Sequence, residues 1–285
     1  MNFKDITVGI VTFNSEKVIF ECLKSIKRIK KIIIFDNSND QKLKQKISLK
    51  YPKIKFVLSK KNIGYGSGNN KIINLCETKY LFILNPDTVL KKNCEDQLLK
   101  TLNQNIKDLS ILAPISNDIN YGFFDEFKNS NTKNNFKVDY VKGFAMLVDI
   151  KKIKNIGKFD ENFFLYLEEI DLCKRLAEKG YSVYINQIAK INHLAAKSSN
   201  LGLEFEKCRN WHWMWSQVYF KKKYNNKFLV NLEFSLLLVL QILKILFYTL
   251  KFDKKEMISK TMRYLGTLNA LAGKKSWYRP KFDLN

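Results

Sequence analysis

The first half of the chain alternates two hydrophobic periods. Ile6 to Phe13 is an apolar, β-branched run that stops at Asn14. From Ser15 the apolar residues fall at Val18, Ile19, Cys22, Leu23 and Ile26, a helical period with Ser15 as its N-cap. Lys31 to Phe35 reads as a second buried strand, cut off by Asp36-Asn37-Ser38. A polar helix over 40–50 and a short strand at Lys55 to Leu58 follow. A glycine-bearing loop comes next, then a helix near 69–78 and a strand at Tyr80 to Leu84 that ends on Asn85-Pro86-Asp87. Leu109 to Ala113 and Phe144 to Val148 are further strand candidates. Buried strands alternating with helices predict an α/β fold, a mostly parallel sheet flanked by helices.

The polar interruptions locate a crevice. Thr12-Phe13-Asn14, Asp36-Asn37 and Asn85-Pro86-Asp87 each close a buried strand, and open α/β sheets bind ligands beyond the carboxyl ends of their strands. A dinucleotide site of the usual kind is not expected, because no GxGxxG follows the first strand. Gly64-Tyr65-Gly66-Ser67-Gly68 comes after a later strand and reads on its own as a flexible turn. Residues 117–137, rich in Asn, Asp, Lys and Ser, read as a surface loop rather than a domain boundary.

The character of the chain changes after Phe220, which divides it into an α/β domain over 1–220 and a helical region over 221–285. Within Phe228 to Leu250, 17 of 23 residues are apolar, long enough to cross a bilayer. Asn231, Glu233, Gln241 and Lys244 interrupt the run, which makes a simple span costly. An interfacial or re-entrant helix pair fits better, the second helix covering Lys254 to Ala272; a buried helical subdomain is the alternative. Trp211, Trp213 and Trp215, with His212 among them, precede Lys221-Lys222-Lys223 and suit a membrane interface or an amphipathic packing face.

Composition sharpens this only in part. The 50 Lys and Arg against 27 Asp and Glu leave a net charge of +23, of which 221–285 carries +10 from 14 basic and 4 acidic residues. Such an excess fits an anionic membrane surface, a phosphorylated substrate or nucleic acid. The 5 cysteines are scattered with no CxxC pair, so neither a disulfide framework nor a zinc knuckle is expected. The start of the chain runs into a strand without a secretory pattern, and a cytoplasmic setting is expected.

The most specific stretch is Phe159 to Arg175. Glu168, Glu169 and Asp171 crowd the first turn of a helix behind the aromatic run Phe163-Phe164-Leu165-Tyr166. Acids there complement the helix dipole, and Asp171 is placed to pair with Arg175 at i,i+4. A carboxylate at the rim of an apolar wall is also suited to act as a general base.

Six motifs in order carry a resemblance to family 2 glycosyltransferases of the rhamnosyltransferase-like branch. Val11-Thr12-Phe13-Asn14 resembles the family's V-x-Y-N start, and Asp36-Asn37-Ser38 its D-N-S. Asn62-Ile63-Gly64 with Asn69 resembles its N-x-G-x-x-x-x-N, and Asn85-Pro86-Asp87-Thr88 its N-P-D or D-x-D element. Gly143 to Leu147 resembles the G-x-x-M-L strand, and Phe159 to Arg175 resembles F-D-E-x-F-F-x-Y-x-E-D-x-D-L-C-x-R. The resemblance implies the GT-A fold and a nucleotide-diphospho-sugar donor such as dTDP-rhamnose or a UDP-sugar. Thr12, Phe13, Asn14, Asp36, Asn37, Asn62, Gly64, Asn69, Asn85 and Asp87 would form the donor site. Asp87 and His193 would hold a Mg²⁺ or Mn²⁺ ion, and Glu169 would be the catalytic base of an inverting transfer. Met146, Glu168 and Asp171 would lie in the acceptor or sugar pocket.

The sequence departs from the pattern twice. Glu169 stands where the family has Asp, and the H-x-x-G-x-S element reads His193-Leu194-Ala195-Ala196-Lys197-Ser198. The implied partners are a glycan or lipid-linked glycan acceptor and an anionic membrane surface, on the inner face of the cell membrane. A nucleotidyltransferase on a similar sheet and a basic nucleic-acid-binding protein remain as alternatives, although the latter gives Asp87 and the Glu168-Glu169-Asp171 cluster no role. Nucleic acid is therefore not expected as a partner.

Overall fold

A computed structural model describes residues 1–116, 135–194 and 202–279. The chain divides into two compact units: Met1–Asp160 with Glu169–Ser199, and Glu161–Glu168 with the helices after Asn200.

The first unit is built on one sheet. Its elements are β1 (Ile6–Thr12), α1 (Glu16–Ser25), β2 (Lys31–Asp36), α2 (Gln41–Lys50), β3 (Lys55–Leu58), α3 (Tyr65–Leu75), β4 (Tyr80–Leu84), β5 (Thr88–Leu90), α4 (Cys94–Leu102) and β6 (Leu109–Ser116). Then follow β7 (Asn135–Val138), β8 (Ala145–Asp149), α5 (Ile150–Asn155), α6 (Glu168–Glu178) and β9 (Ser182–His193). The strand order is β3-β2-β1-β4-β8-β6-β9-β5, with β7 paired to β9. The expected parallel arrangement holds for β3-β2-β1-β4. From there the sheet is mixed, because β8 runs antiparallel to both of its neighbours. A strand buried on both faces has the same apolar run in either direction, so periodicity carries no sign of this.

The pleat sends alternate residues of β1 to opposite faces. Val8 and Ile10 join Ile19, Leu43 and Leu98 in one core, and Val11 joins Ile72, Ile73 and Leu172 in the other. Ser15 stands at the start of α1, but its hydroxyl bonds to the backbone of Phe13 instead of capping the helix. The glycine run, read as a flexible turn, opens α3. Gly64 precedes that helix at φ 91°, and a Cβ on Gly68 would meet Val11 Cγ1 at 2.9 Å. Only a glycine lets α3 lie this close to β1. We therefore expect Gly68→Ala to lower stability by about 1–3 kcal/mol, read as a drop in the denaturant midpoint. An unchanged midpoint would show that the helix has room to shift. Most of the 117–137 segment lies outside the described residues; its end forms β7, where Asn135 opposes Asn186. Long β9, absent from the sequence reading, is irregular, with register shifts against β6.

The second unit contains α7 (Gly202–Tyr224), α8 (Lys227–Leu250) and α9 (Lys254–Leu271). The expected boundary at residue 220 falls inside α7. The expected helix pair is present almost to the residue. Of the two readings of the tryptophans, the packing face holds for Trp211 and Trp215. Trp211 and Trp215 are buried with Val230, Phe234 and Met262 in the core of this unit, whereas Trp213 between them is exposed. Gly266 faces the Trp211 carbonyl with no room for a side chain, so α9 and α7 touch backbone to side-chainless backbone. His212 is fully buried as well, with Nε2 2.8 Å from the Tyr278 carbonyl, and burial pushes its pKa down to about 3. It is a neutral packing residue. Among the described residues α8 is the one helix long and apolar enough to cross a membrane, and most of its surface is open.

Candidate active site

The tips of β1 and β2 are tied together by Asp36. Its fully buried carboxylate accepts from Thr12 Oγ1 at 2.8 Å, from the Ser38 hydroxyl and backbone, and from the Asp40 N–H at 2.9 Å. With its oxygens engaged by the chain, Asp36 sets the shape of the crevice floor. Asn37 carries the tie onward, donating through Nδ2 to the Gly64 carbonyl at 3.1 Å and accepting from Ile63 N–H at 3.2 Å. Asn62 Oδ1 accepts from Gly64 N–H at 3.0 Å. These contacts aim α3 at the crevice. Asn69 on its first turns is fully buried and donates to the Tyr65 carbonyl at 3.1 Å. Half-buried Phe13 has its N–H on Ser15 Oγ, and Asn14 follows at φ 49° with its N–H on Ser38 Oγ.

The turn after β4 forms the second wall. Asn85 N–H donates to the Phe144 carbonyl at 2.8 Å, and Thr88 closes the turn on the Asn85 carbonyl. Antiparallel pairing of β5 with β9 sets Thr88 opposite His193, and Leu194 N–H donates to the Asp87 carbonyl at 2.9 Å. His193 thereby comes to Asp87 with Nε2 3.4 Å from Oδ1, and its ring stacks on Phe144 at 4.6 Å. Sequence reasoning missed this stacking partner, because strand register is not local information.

Among the described residues, four buried side-chain atoms at the strand tips and on α3 have no hydrogen-bond partner: Asn14 Nδ2, Asn69 Oδ1, Asn85 Oδ1 and Asp87 Oδ1. Each such atom costs on the order of 1–3 kcal/mol when left unsatisfied. Their gathering around one crevice is what a site built for a polar ligand requires. Asp87 and His193 also fit the implied cation. Among the described residues no three His, Cys, Asp or Glu side chains converge, so an ion here would take one carboxylate and one imidazole from the chain. Mg²⁺-type sites commonly combine so few protein groups with substrate phosphates and water.

The third wall is Glu169 near the start of α6. Its Cβ and Cγ lie beside Gly143, whose carbonyl accepts from the Tyr65 hydroxyl. Burial pushes the Glu169 carboxyl above the ordinary glutamate range, opposed by the Glu169 and Gly143 backbone N–H groups and the Lys142 charge. Tyr166 and Leu167, immediately before α6, both have positive φ, 71° and 67°. Two bulky residues in that region are uncommon, and strain of this kind gathers at functional sites. Lys142 and Tyr65 escaped the sequence reading, since nothing in their local spacing marks them.

Two expected pocket residues lie elsewhere. Met146 is fully buried in the sheet core opposite Ile83. Asp171 is fully buried in an ion pair with Arg175 at 2.7 Å, and Arg175 also donates to the carbonyls of Ile156 and Lys158. That pair pins a turn against α6, so Asp171 is a structural residue. Glu168 is buried at the first position of α6. The Ala195 to Ser198 part of the histidine element lies outside the described residues.

This sheet and the crevice at its strand tips define the GT-A fold of nucleotide-sugar transferases. The mannosyltransferase PcManGT of Pyrobaculum calidifontis, solved with GDP-Man and Mn²⁺, superposes with a TM-score of 0.63 at 12% identity, covering 95% of this chain and 88% of that one. The family model for glycosyl transferase family 2 matches residues 7–163, more than half of the chain, and the chain belongs to that family. It is similar to the low-salt glycan biosynthesis hexosyltransferase Agl10 of Haloferax volcanii, at 29% identity over 66% of this chain and 67% of the relative. It is also similar to the rhamnosyltransferase WbbL of Escherichia coli K12, at 26% identity over 64% and 78%. Family membership sets aside the nucleotidyltransferase alternative.

Proposed function

We propose that the protein is an inverting, metal-dependent transferase. It would move a hexosyl or rhamnosyl unit from a dTDP- or UDP-sugar to a hydroxyl of a glycan or lipid-linked glycan in cell-surface polysaccharide synthesis. The observation that carries this reading is the set of four buried polar atoms around one crevice that lack a hydrogen-bond partner among the described residues, with Asp87 among them. Asn14, Asn69 and Asn85 hydrogen-bond the donor, on a floor held in shape by Asp36, Asn37 and Asn62. Asp87 and His193 hold the ion. When bound, Mg²⁺ or Mn²⁺ neutralises charge on the departing nucleoside diphosphate. Glu169, whose carboxyl is held above its usual range, takes the proton from the acceptor hydroxyl as that oxygen attacks the anomeric carbon. Attack opposite the leaving group inverts the anomeric centre. Nucleic acid is not a partner in this reading, since Asp87 and Glu169 repel a phosphate backbone. The second unit attaches the enzyme peripherally to the cytoplasmic face of the membrane.

The test is product analysis with a panel of nucleotide sugars and Mn²⁺: release of nucleoside diphosphate with a product of inverted configuration supports the reading, and release of pyrophosphate or retention overturns it. The base assignment has its own check. Lys142 favours the Glu169 carboxylate, so Lys142→Met raises the carboxyl further and moves the acid limb of the pH–rate profile to higher pH. A limb that stays in place, or moves down, removes Glu169 from that role.

A further inference from the structure

The outer face of α8 is apolar along its whole length and none of the described residues of its own unit covers it. Val230, Phe234 and Gln241 form the buried stripe, and Val230 and Phe234 pack with Trp211, Met214 and Met262 of α7 and α9. At about 100° per residue, Leu232, Leu236, Val239, Leu243, Leu246 and Leu250 fall within about 50° of the opposite direction. All six are exposed, Leu236 by 61% and Leu250 by 80%. The same wheel sets Glu233, Lys244 and Lys251 in one row along a flank, spaced eleven and seven residues apart. Over those eighteen residues the row runs for roughly 27 Å parallel to the helix axis.

This three-sided pattern separates two ways of meeting a membrane. A crossing helix would hold that charged row, over most of its length, inside a hydrocarbon layer of about 30 Å. It would also draw in α9, packed against it, with exposed Lys254 and Lys255 at its start and half-buried Glu256, Lys260 and Arg263 along it. A helix lying in the interface meets neither penalty. Its apolar face enters the acyl boundary while the flank stays at headgroup level. The charge around the face is complementary to anionic lipid. Glu233 is paired with Lys221, whereas Lys223, Lys227, Lys244, Lys251, Lys254 and Lys255 are exposed.

We propose that α8 lies in the plane of an anionic phospholipid surface, with the Leu232-to-Leu250 face in lipid and the buried stripe turned to the protein. The proposal deepens the peripheral-attachment reading above and is independent of the donor chemistry.

The test uses the full-length protein and site-directed nitroxides. All five native thiols are buried, so cysteines introduced singly at 232, 236, 239, 243, 246 and 250 are labelled selectively. Depth is read by collision with oxygen and with a water-soluble nickel complex, on vesicles of equimolar phosphatidylcholine and phosphatidylglycerol. The expected result is one shallow depth, about 5–10 Å, at all six positions. A label at Lys244 should sit in the headgroup layer. Binding should fall at least tenfold on pure phosphatidylcholine, and also in Leu236→Asp/Leu243→Asp with the melting temperature unchanged. Depth that runs through the bilayer centre from 232 to 250 overturns the in-plane placement while leaving membrane attachment standing. Absence of vesicle binding overturns both. Spin–spin broadening without vesicles identifies a second copy as the occupant and also overturns the proposal.

Discussion

Glu169→Gln retains donor binding and loses at least about 10²-fold in turnover, the size expected when a positioned general base is removed. The amide keeps the shape of the carboxyl and an oxygen for the Gly143 and Glu169 backbone N–H groups, but it accepts no proton at working pH. Stability gives a second readout. A carboxyl whose folded pKa is raised binds its proton more tightly in the folded state than in the unfolded chain. Stability therefore declines as pH rises from the ordinary glutamate range through the raised value. Glutamine escapes that decline, so the variant melts at or above the wild-type temperature at neutral pH and the advantage vanishes in acid. Glu168→Gln should reduce turnover far less. A dead Glu168→Gln beside an active Glu169→Gln would move the base one residue earlier.

Asp87→Ala abolishes Mn²⁺-dependent donor binding and leaves the fold intact. The fold survives because the Leu194 N–H bonds the Asp87 backbone carbonyl, which alanine keeps, whereas Oδ1 has no hydrogen bond to lose. The side chain that faces it, His193, is itself partly exposed, so losing Asp87 leaves no fully buried charge behind. Binding fails because the remaining ligand, His193, offers a single nitrogen to a cation that prefers oxygen. Isothermal calorimetry with and without Mn²⁺ checks this; unchanged affinity and unchanged metal dependence would contradict it.

Much of the crevice was legible in the sequence because a polar residue ending an apolar run is a local signal. Asn14, Asp36 and Asp87 stand at strand tips as that pattern predicted. What each does there was not legible. Asp36 binds its own loop because Ser38 and Asp40 curl back onto it, a matter of turn geometry. His193 reaches Asp87 through the β5–β9 register, a pairing of residues over a hundred positions apart. Met146 and Asp171 sit in well-marked motifs yet face the core, because a motif names residues without saying which face they occupy. The tryptophans of α7 stayed open between two readings for a related reason: aromatics followed by lysines look alike at a membrane interface and in a small helical core.

The most direct test of the central claim is thermal unfolding of the full-length protein against a panel of nucleotide-diphospho-sugars, each with Mn²⁺ and with chelator. Ligand bound only to the folded state raises stability by about 2.7 kcal/mol at a hundredfold excess over Kd. The crevice of polar atoms without hydrogen bonds predicts a clear rise in melting temperature with at least one nucleotide sugar, lost on chelation and lost in Asp87→Ala. No shift with any donor, or an equal shift in chelator and in Asp87→Ala, would contradict it.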